Sequence, residues 1–487
     1  MKKAPYWADV LSSDQKKKSR KRQKRQKSRI PSPSRLMAVK VLSTWLSRKP
    51  GKRPEIEEMA GKALEGGGLS QKDRALFWNI LIGTIRWLRL LRWHLDRYLK
   101  RFSKLPVEVQ AILLTGAYQI VFLSRIPYFS AVNEAVEISR SLGCGWACRL
   151  VNASLRNLAR GDKILLQDMD KLLERCSKGF ENCVSNLTSH PHWMVKRWTM
   201  RFGRRQCLSI CLSNNEPPDV VIRVNTLRLT RSRMKALLSE HGMEAEETVF
   251  SPYGLRLKGF QGRIEELPGF ELGYFQVQDE ASQLAAILLG PKSGDRVLDV
   301  CAGVGGKSTA IAQLMNDEGI VTACDTNRRR LLLLEENAKR LGLSSISAFG
   351  LPSRRKQVEE MGPYDKILID APCSGLGVIR RHPDIKWNRL PQDIEKLSSI
   401  QSRLLDEWSS LLRPGGLLVY CVCTMEAEET TFQVERFLKS RKDFCLMDAP
   451  SVLGDLPGKF AKGGSILICP GACNMDGFFM ALFRKAG

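Results

Sequence analysis

The chain has 487 residues, with 77 Lys and Arg against 51 Asp and Glu, a formal net charge of +26, and 43% hydrophobic residues. Length suggests about three domains, the apolar content excludes a wholly disordered or fibrous chain, and the absence of any run of ~18 apolar residues argues against a membrane span. The charge exceeds what the basic N-terminal segment alone supplies and favours a polyanionic partner, because neutralising phosphates releases counterions. That segment, residues 16–29, is almost unbroken Lys, Arg, Gln and Ser. It cannot bury apolar area, so residues 1–34 are expected to be a disordered basic tail, either merely solvated or, as the overall charge favours, a non-specific RNA-gripping arm. It also lacks the apolar stretch of a secretory signal, which points to a cytoplasmic protein.

Over 35–165 apolar residues recur at helical spacing, as in Leu36, Val39, Leu42 and Leu46, then Val107, Ile112, Leu113 and Ala117. This predicts a compact all-α domain. Ile126-Pro127 is expected to close one helix, with Asn133 and Glu134 near the start of the next in capping and helix–helix hydrogen bonds. Residues 161–190 read as a polar, helical connector. Over 190–270 strand and helix signals mix: a strand at 220–228, an amphipathic helix at 231–242 and a short strand at 255–257. A small α+β domain with basic strands suits single-stranded or irregular RNA. Over 271–487 strands at 296–300, 320–324, 345–349, 366–370 and 417–423 alternate with helices from 308, over 328–341 and through 394–412, and a late strand follows at 477–483. Such alternation predicts a Rossmann-like α/β domain with a doubly wound sheet.

Two cysteines carry the chemistry. Lys366-Ile-Leu-Ile-Asp370-Ala-Pro-Cys373-Ser374-Gly375 and Leu417-Leu-Val-Tyr420-Cys421-Val-Cys423-Thr424 are apolar runs with a thiol just past the end. Read as parallel strands, they place Cys373 and Cys423 at the carboxyl edge of the sheet, where open α/β folds bind ligands. Upstream, Asp299-Val-Cys301-Ala302-Gly303-Val304-Gly305-Gly306-Lys307-Ser308 follows the first strand and opens a helix. It matches neither the P-loop nor G-x-G-x-x-G. Asp325 ends the next strand, where a carboxylate takes both ribose hydroxyls of a nucleoside or caps the next helix. A nucleoside held without a phosphate cradle points to S-adenosylmethionine. Its expected lining is Cys301, Ala302, Gly303, Val304, Gly305, Gly306, Lys307, Asp325, Arg330 and Asp370. The 14 cysteines include no C-x-x-C pair and no His at zinc spacing, so most read as reduced thiols and no metal site is expected.

The motifs Asp370-Ala-Pro-Cys373-Ser374, Val378-Ile-Arg380-Arg381-His382-Pro383-Asp384-Ile-Lys386-Trp387, Tyr420-Cys-Val-Cys423-Thr-Met-Glu-Ala-Glu428-Glu429 and Asp476-Gly-Phe-Phe together resemble the RsmB-type members of the Sun/NSUN family of RNA cytosine-5 methyltransferases. The resemblance runs from Arg35 to the C-terminus, and the helical domain resembles NusB. It implies methyl transfer from S-adenosylmethionine to a cytosine of small-subunit (16S) rRNA, naked or in an early assembly particle; a monomer is the default expectation, which the sequence leaves open. Cytosine C5 is too weak a nucleophile until a thiolate adds to C6. By resemblance Cys423 is that nucleophile, Cys373 assists product release, Asp370 meets the cytosine N3 edge, and Lys307 orients Asp370 or helps hold the base. Cys301, Cys324 and Cys421 read as packing, Arg380, Arg381, Lys386 and Trp387 as residues to grip or stack on RNA, with Trp387 equally readable as core, and His382 as structural. Two departures stand out. Gly303-Val304 replaces the family's usual Ala-Pro, and Leu351 stands where an acid usually meets adenine, a loss of roughly 1–3 kcal/mol. The alternatives are the same reaction on transfer RNA, or a non-catalytic RNA-binding assembly factor with a weakened cofactor pocket.

Overall fold

The computed structural model describes residues 30–161, 168–260, 262–454 and 460–487. The expected basic tail at 1–29 lies outside the described residues. The chain forms two units that divide near residue 165.

The first unit is all-α: α1 Pro33–Leu46, α2 Ile56–Glu65, α3 Gln71–Arg86, α4 Leu88–Asp96, α5 Val107–Phe122, α6 Tyr128–Ser141 and α7 Cys148–Arg160. Helix α1 starts at Pro33, inside the expected tail, and Pro at the first turn suits a helix start. Glycine permits close helix contacts here. A Cβ on Gly83 of α3 would sit 2.0 Å from Tyr118 Cζ of α5, and one on Gly116 2.7 Å from Leu155 Cδ1 of α7. Helix α5 ends at Phe122, before Ile126-Pro127, and Pro127 precedes α6 instead. Glu134 Oε2 accepts the Ser32 N–H at 2.9 Å, a helix–helix role of the kind expected.

The second unit opens with α8 Met169–Arg175, α9 Phe180–Leu187 and α10 His192–Ser213. A disulfide joins Cys176 to Cys183, which the sequence did not reveal; the other twelve cysteines are free. Strands β1 Val220–Val224, β2 Ala245–Glu247, β3 Gly254–Leu257 and β4 Phe275–Val277 form an antiparallel sheet in the order β2-β3-β1-β4, with α11 Arg231–Glu240. Ile222, Val224, Met234, Leu238, Leu255 and Phe275 fill its core. Strand β1 stops at Val224, not at 228, because Asn225 turns inward and its Nδ2 donates to the carbonyls of Gly273 and Leu341. The basic strand residues Arg223 and Arg256 are buried rather than presented to solvent.

The large sheet contains β5 Arg296–Asp299, β6 Ile320–Asp325, β7 Ile346–Gly350, β8 Tyr364–Asp370, β9 Leu412–Val422, β10 Phe444–Leu446, β11 Ala461–Lys462, β12 Ser465–Ile468 and β13 Phe478–Lys485. Its order is β11-β12-β13-β9-β8-β5-β6-β7, with β10 beside β13. Strands β5 to β9 run parallel, as alternation predicted, while β13 runs antiparallel to β9, so the sheet is mixed. The helices are α12 Glu280–Leu289, α13 Gly306–Leu314, α14 Arg328–Leu341, α15 Arg355–Glu360, α16 Ile385–Asn388, α17 Pro391–Trp408, α18 Thr431–Ser440 and α19 Ala449–Leu453. Helix α17 ends at Trp408, and Leu412 already belongs to β9; Pro414 disfavours helix at the residue before it. Strand order reverses between β5 and β8, so the loops after these two strands diverge and open a crevice at the carboxyl edge. No helix among the described residues is long and apolar enough to cross a membrane.

Candidate active site

The loop after β5 is tied down by backbone and carboxylate. Ala302 N–H donates to Cys324 O at 2.8 Å, and Gly303 N–H to Asp325 Oδ2 at 2.9 Å. Asp325 Oδ1 accepts the Asn327 N–H at 2.7 Å. Each oxygen of this buried carboxylate thus holds one N–H and keeps a second lone pair. The cap of α14 is Asn327, whose side chain accepts from the N–H groups of Arg329 and Arg330, so Asp325 is not spent on capping. Gly305 has φ +87°, and a Cβ there would sit 2.7 Å from Leu334 Cγ, so glycine is required. A Cβ on Gly303 would meet nothing within 4 Å, which leaves an open shelf beside Asp325. Asn337 Nδ2 donates to the Val304 carbonyl at 3.1 Å and holds the turn that a proline would have stiffened. Val304 and Arg330 are exposed, Cys301 is half-buried, and Leu351 follows β7 with its N–H on the Asp325 carbonyl at 2.9 Å.

Asp299, at the end of β5, is fully buried and accepts from Ser308 Oγ at 2.7 Å. Burial pushes its carboxyl up to about 7. At the end of β8, Asp370 Oδ2 pairs with Lys307 Nζ, the second residue of α13. Burial alone would lower the Lys307 pKa; the charge of Asp370, then Cys421, hydrogen bonding and Asp299 outweigh it and raise the pKa. Cys421, opposite Asp370 in the β8–β9 register, donates its thiol to Asp370 Oδ1 at 3.6 Å. The packing role expected of Cys421 is therefore incomplete: it is buried and also holds the carboxylate.

Cys373 Sγ and Cys423 Sγ, from sequence positions 50 apart, lie 3.2 Å from each other. The hydrogen bond with Cys423, followed by burial, pushes the Cys373 thiol well above its usual range. Either sulfur of this pair can donate to the other. Glu429, fully buried, sews the two loops together. Its carboxylate accepts from Ser374 N–H at 2.8 Å, Ser374 Oγ at 2.5 Å and Gln401 Nε2 at 3.1 Å. Gln401 Nε2 also donates to Pro372 O at 2.9 Å, and Tyr420 OH to the Glu429 carbonyl at 2.7 Å. Gly377 N–H donates to Cys423 O at 3.0 Å, and Gly477 N–H to Gly377 O at 2.8 Å.

The basic motif behaves differently from its sequence reading. Arg380 is 4% exposed and pairs with Asp476 and Asp279, and Arg381 pairs with the same two acids. Lys386 is 1% exposed, with Nζ 3.1 Å from Asn215 Oδ1. These cations brace the loop internally, Arg380 and Lys386 buried and Arg381 still about a quarter exposed. Trp387 is half-buried and His382 exposed. Glu429, Ser374, Gln401 and Cys421 were not anticipated as site residues; the only signal was the acidic pair Glu428-Glu429 just after Cys423. Two sulfurs, a carboxylate and an ammonium thus gather at the carboxyl edge of the parallel strands β8 and β9.

Three family models match the chain: 16S rRNA methyltransferase RsmB/F over residues 286–484, the NusB family over 32–160, and the RsmF/B-like ferredoxin-like domain over 190–262. Among curated relatives, ribosomal RNA small subunit methyltransferase B of Pseudomonas syringae pv. tomato is 35% identical over 93% of this chain and 96% of its own length. The probable ribosomal RNA small subunit methyltransferase B of Bacillus subtilis is 34% identical over 87% of this chain and 93% of its own. Among solved structures, PH0851 has a TM-score of 0.74 at 22% identity, covering 94% of this chain and 99% of that one, and shares the fold. NSun6 from Pyrococcus horikoshii, solved with SFG, has a TM-score of 0.55 at 25% identity and covers 61% of this chain and 98% of that one.

Proposed function

We propose that this chain, which belongs to the RsmB/F family of 16S rRNA methyltransferases, methylates C5 of one cytosine in small-subunit rRNA through a covalent adduct to Cys423. The cofactor is S-adenosylmethionine, which when bound supplies an electrophilic methyl group. The residues present fit it: Asp325 keeps a free lone pair on each oxygen for a vicinal diol, the shelf at Gly303 is open, and Asp370 offers a carboxylate nearby.

Cys423 Sγ adds to C6 of the cytosine, which makes C5 an enamine-like nucleophile. Asp370, held at one oxygen by Lys307 and at the other by Cys421, meets the N3 edge of the base. Lys307 orients Asp370. Once C5 carries the methyl group, its proton passes to water, the C–H electron pair re-forms the C5–C6 double bond, and the Sγ–C6 bond breaks to return the Cys423 thiolate, a release that Cys373 assists from 3.2 Å away. The target base must leave its stack to reach two sulfurs at a sheet edge. The 3.2 Å approach of Cys373 to Cys423, beside the Lys307–Asp370 pair, carries the reading.

The test is transfer of labelled methyl from S-adenosylmethionine to unmodified small-subunit rRNA, mapped by bisulfite sequencing. One protected cytosine is expected. RNA binding without transfer would contradict the proposal and favour an assembly factor, and transfer only to transfer RNA would replace the substrate.

A further inference from the structure

Arg223 of β1 belongs to the small antiparallel sheet, yet its guanidinium ends on the cofactor helix. It is 2% exposed. It donates to Gly306 O at 2.7 Å, Thr309 Oγ1 at 2.9 Å, Gln313 Oε1 at 3.3 Å and the Gln278 side-chain oxygen. All four acceptors are neutral, and no ion pair to Arg223 forms among the described residues. Burial lowers its pKa to about 9, so the group stays charged at neutral pH.

A buried cation without a carboxylate is costly unless its donors are satisfied. A fold that needed only to seal this interface would be served by an apolar side chain. Arginine instead supplies a planar fork of five donors, enough to reach four acceptors at once. Two of these lie in the first turn of α13: Gly306, its first residue, and Thr309, whose hydroxyl also bonds the Gly305 carbonyl at 2.7 Å. From this turn the Gly303–Gly305 loop hangs on one side and Lys307 reaches Asp370 on the other. The clamp is reciprocal, because Gln313 Nε2 of α13 donates back to Val224 O of β1 at 3.0 Å.

We propose that Arg223 is a positioning residue for cofactor binding, which fixes the first turn of α13 and the glycine loop from the small antiparallel sheet. This rests on the S-adenosylmethionine reading above. In the full chain, Arg223→Gln is expected to raise the Kd for S-adenosylmethionine about 10- to 100-fold, the loss of charge-assisted hydrogen bonds. The KM for the cofactor rises in step, kcat at saturating cofactor stays within about threefold, and rRNA affinity stays within about twofold. Arg223→Lys, which keeps the charge without the fork, recovers only part of the loss.

Unchanged cofactor affinity in Arg223→Gln, or equal losses of cofactor and RNA binding together with a lower Tm, would overturn the proposal. Should that variant fail to fold, Thr309→Val removes one acceptor from the other end. A rise of about threefold or more in Kd is expected, and no rise would overturn the inference. Calorimetry of the unsubstituted protein separates the two levels. If it does not bind S-adenosylmethionine, the functional reading fails; if it binds and the variants match it, only the role of Arg223 fails.

Discussion

Glu429→Ala tests whether the two cysteine loops are positioned by one buried carboxylate. The Glu429 side chain is fully buried and accepts from Ser374 N–H, Ser374 Oγ and Gln401 Nε2. Truncation takes the shared acceptor from these three donors and opens a void, although Gln401 Nε2 keeps Pro372 O and Ser374 Oγ keeps Thr424 Oγ1. Each buried donor left without a partner costs about 1–3 kcal/mol. Relaxation shares some of that loss, so a total of ~3–6 kcal/mol is expected, against a typical domain stability of ~5–15 kcal/mol. Glu429→Gln keeps the shape but turns an NH2 toward one of the donors, which should cost ~1–2 kcal/mol. Urea unfolding of the full chain at pH 7 reads the stability, and alkylation kinetics at Cys373 read the loop. Both variants should speed alkylation and lower methyl transfer more than rRNA binding, because Ser374 adjoins Cys373. A loss below ~1 kcal/mol in Glu429→Ala, with unchanged alkylation, would refute the reasoning.

Asp299 has a folded pKa raised to about 7 from an ordinary 3.8. The folded state therefore holds this proton more tightly than the unfolded chain, and stability falls as pH rises between about 4 and 7. Asp299→Asn should remove that slope and gain up to ~4 kcal/mol over the unsubstituted protein at pH 8 relative to pH 4; parallel urea midpoints of the two proteins across this range would contradict it. Gly377→Ala would put a Cβ 2.0 Å from Gly477 O and 2.9 Å from Cys423 O. It should lower Tm, at ~1–3 kcal/mol, and reduce transfer more than rRNA binding; a variant that matches the unsubstituted protein in both would count against the brace. Asp476→Asn removes one of two acids shared by buried Arg380 and by Arg381 and should cost ~3 kcal/mol. If those arginines served RNA phosphates instead, rRNA affinity would change and its salt slope with it, while stability would not.

Sequence reasoning reached the alternating sheet and the two strand-end cysteines, because strand periodicity and short motifs are local signals; the family resemblance left open whether Lys307 orients Asp370 or helps hold the base, and the structure pairs the two. The internal use of Arg380, Arg381 and Lys386 was not legible. A basic run reads as a solvated face, and the partners that neutralise it lie far away: Asp279 is 102 residues from Arg381, Asp476 is 96 from Arg380 and Asn215 is 171 from Lys386. Arg223 was hidden in the same way, since its Gly306 acceptor is 83 residues on and neutral. Cys421 read as packing because it lies within an apolar run; only the β8–β9 register shows that Asp370 lies opposite. The Cys176–Cys183 disulfide closes a seven-residue separation that matches no recognisable spacing motif.

The central claim is that Cys423 is the sulfur that bonds to the base. A small-subunit rRNA fragment carrying 5-fluorocytidine has no C5 proton to lose, so an adduct formed during transfer cannot resolve. Incubation with S-adenosylmethionine, digestion and mass spectrometry then locate the linked nucleotide. The account predicts a methylated fluorocytidine on the peptide that contains Cys423 and none on Cys373. A linkage to Cys373, or complete methylation of ordinary rRNA by a Cys423→Ala variant, would contradict it.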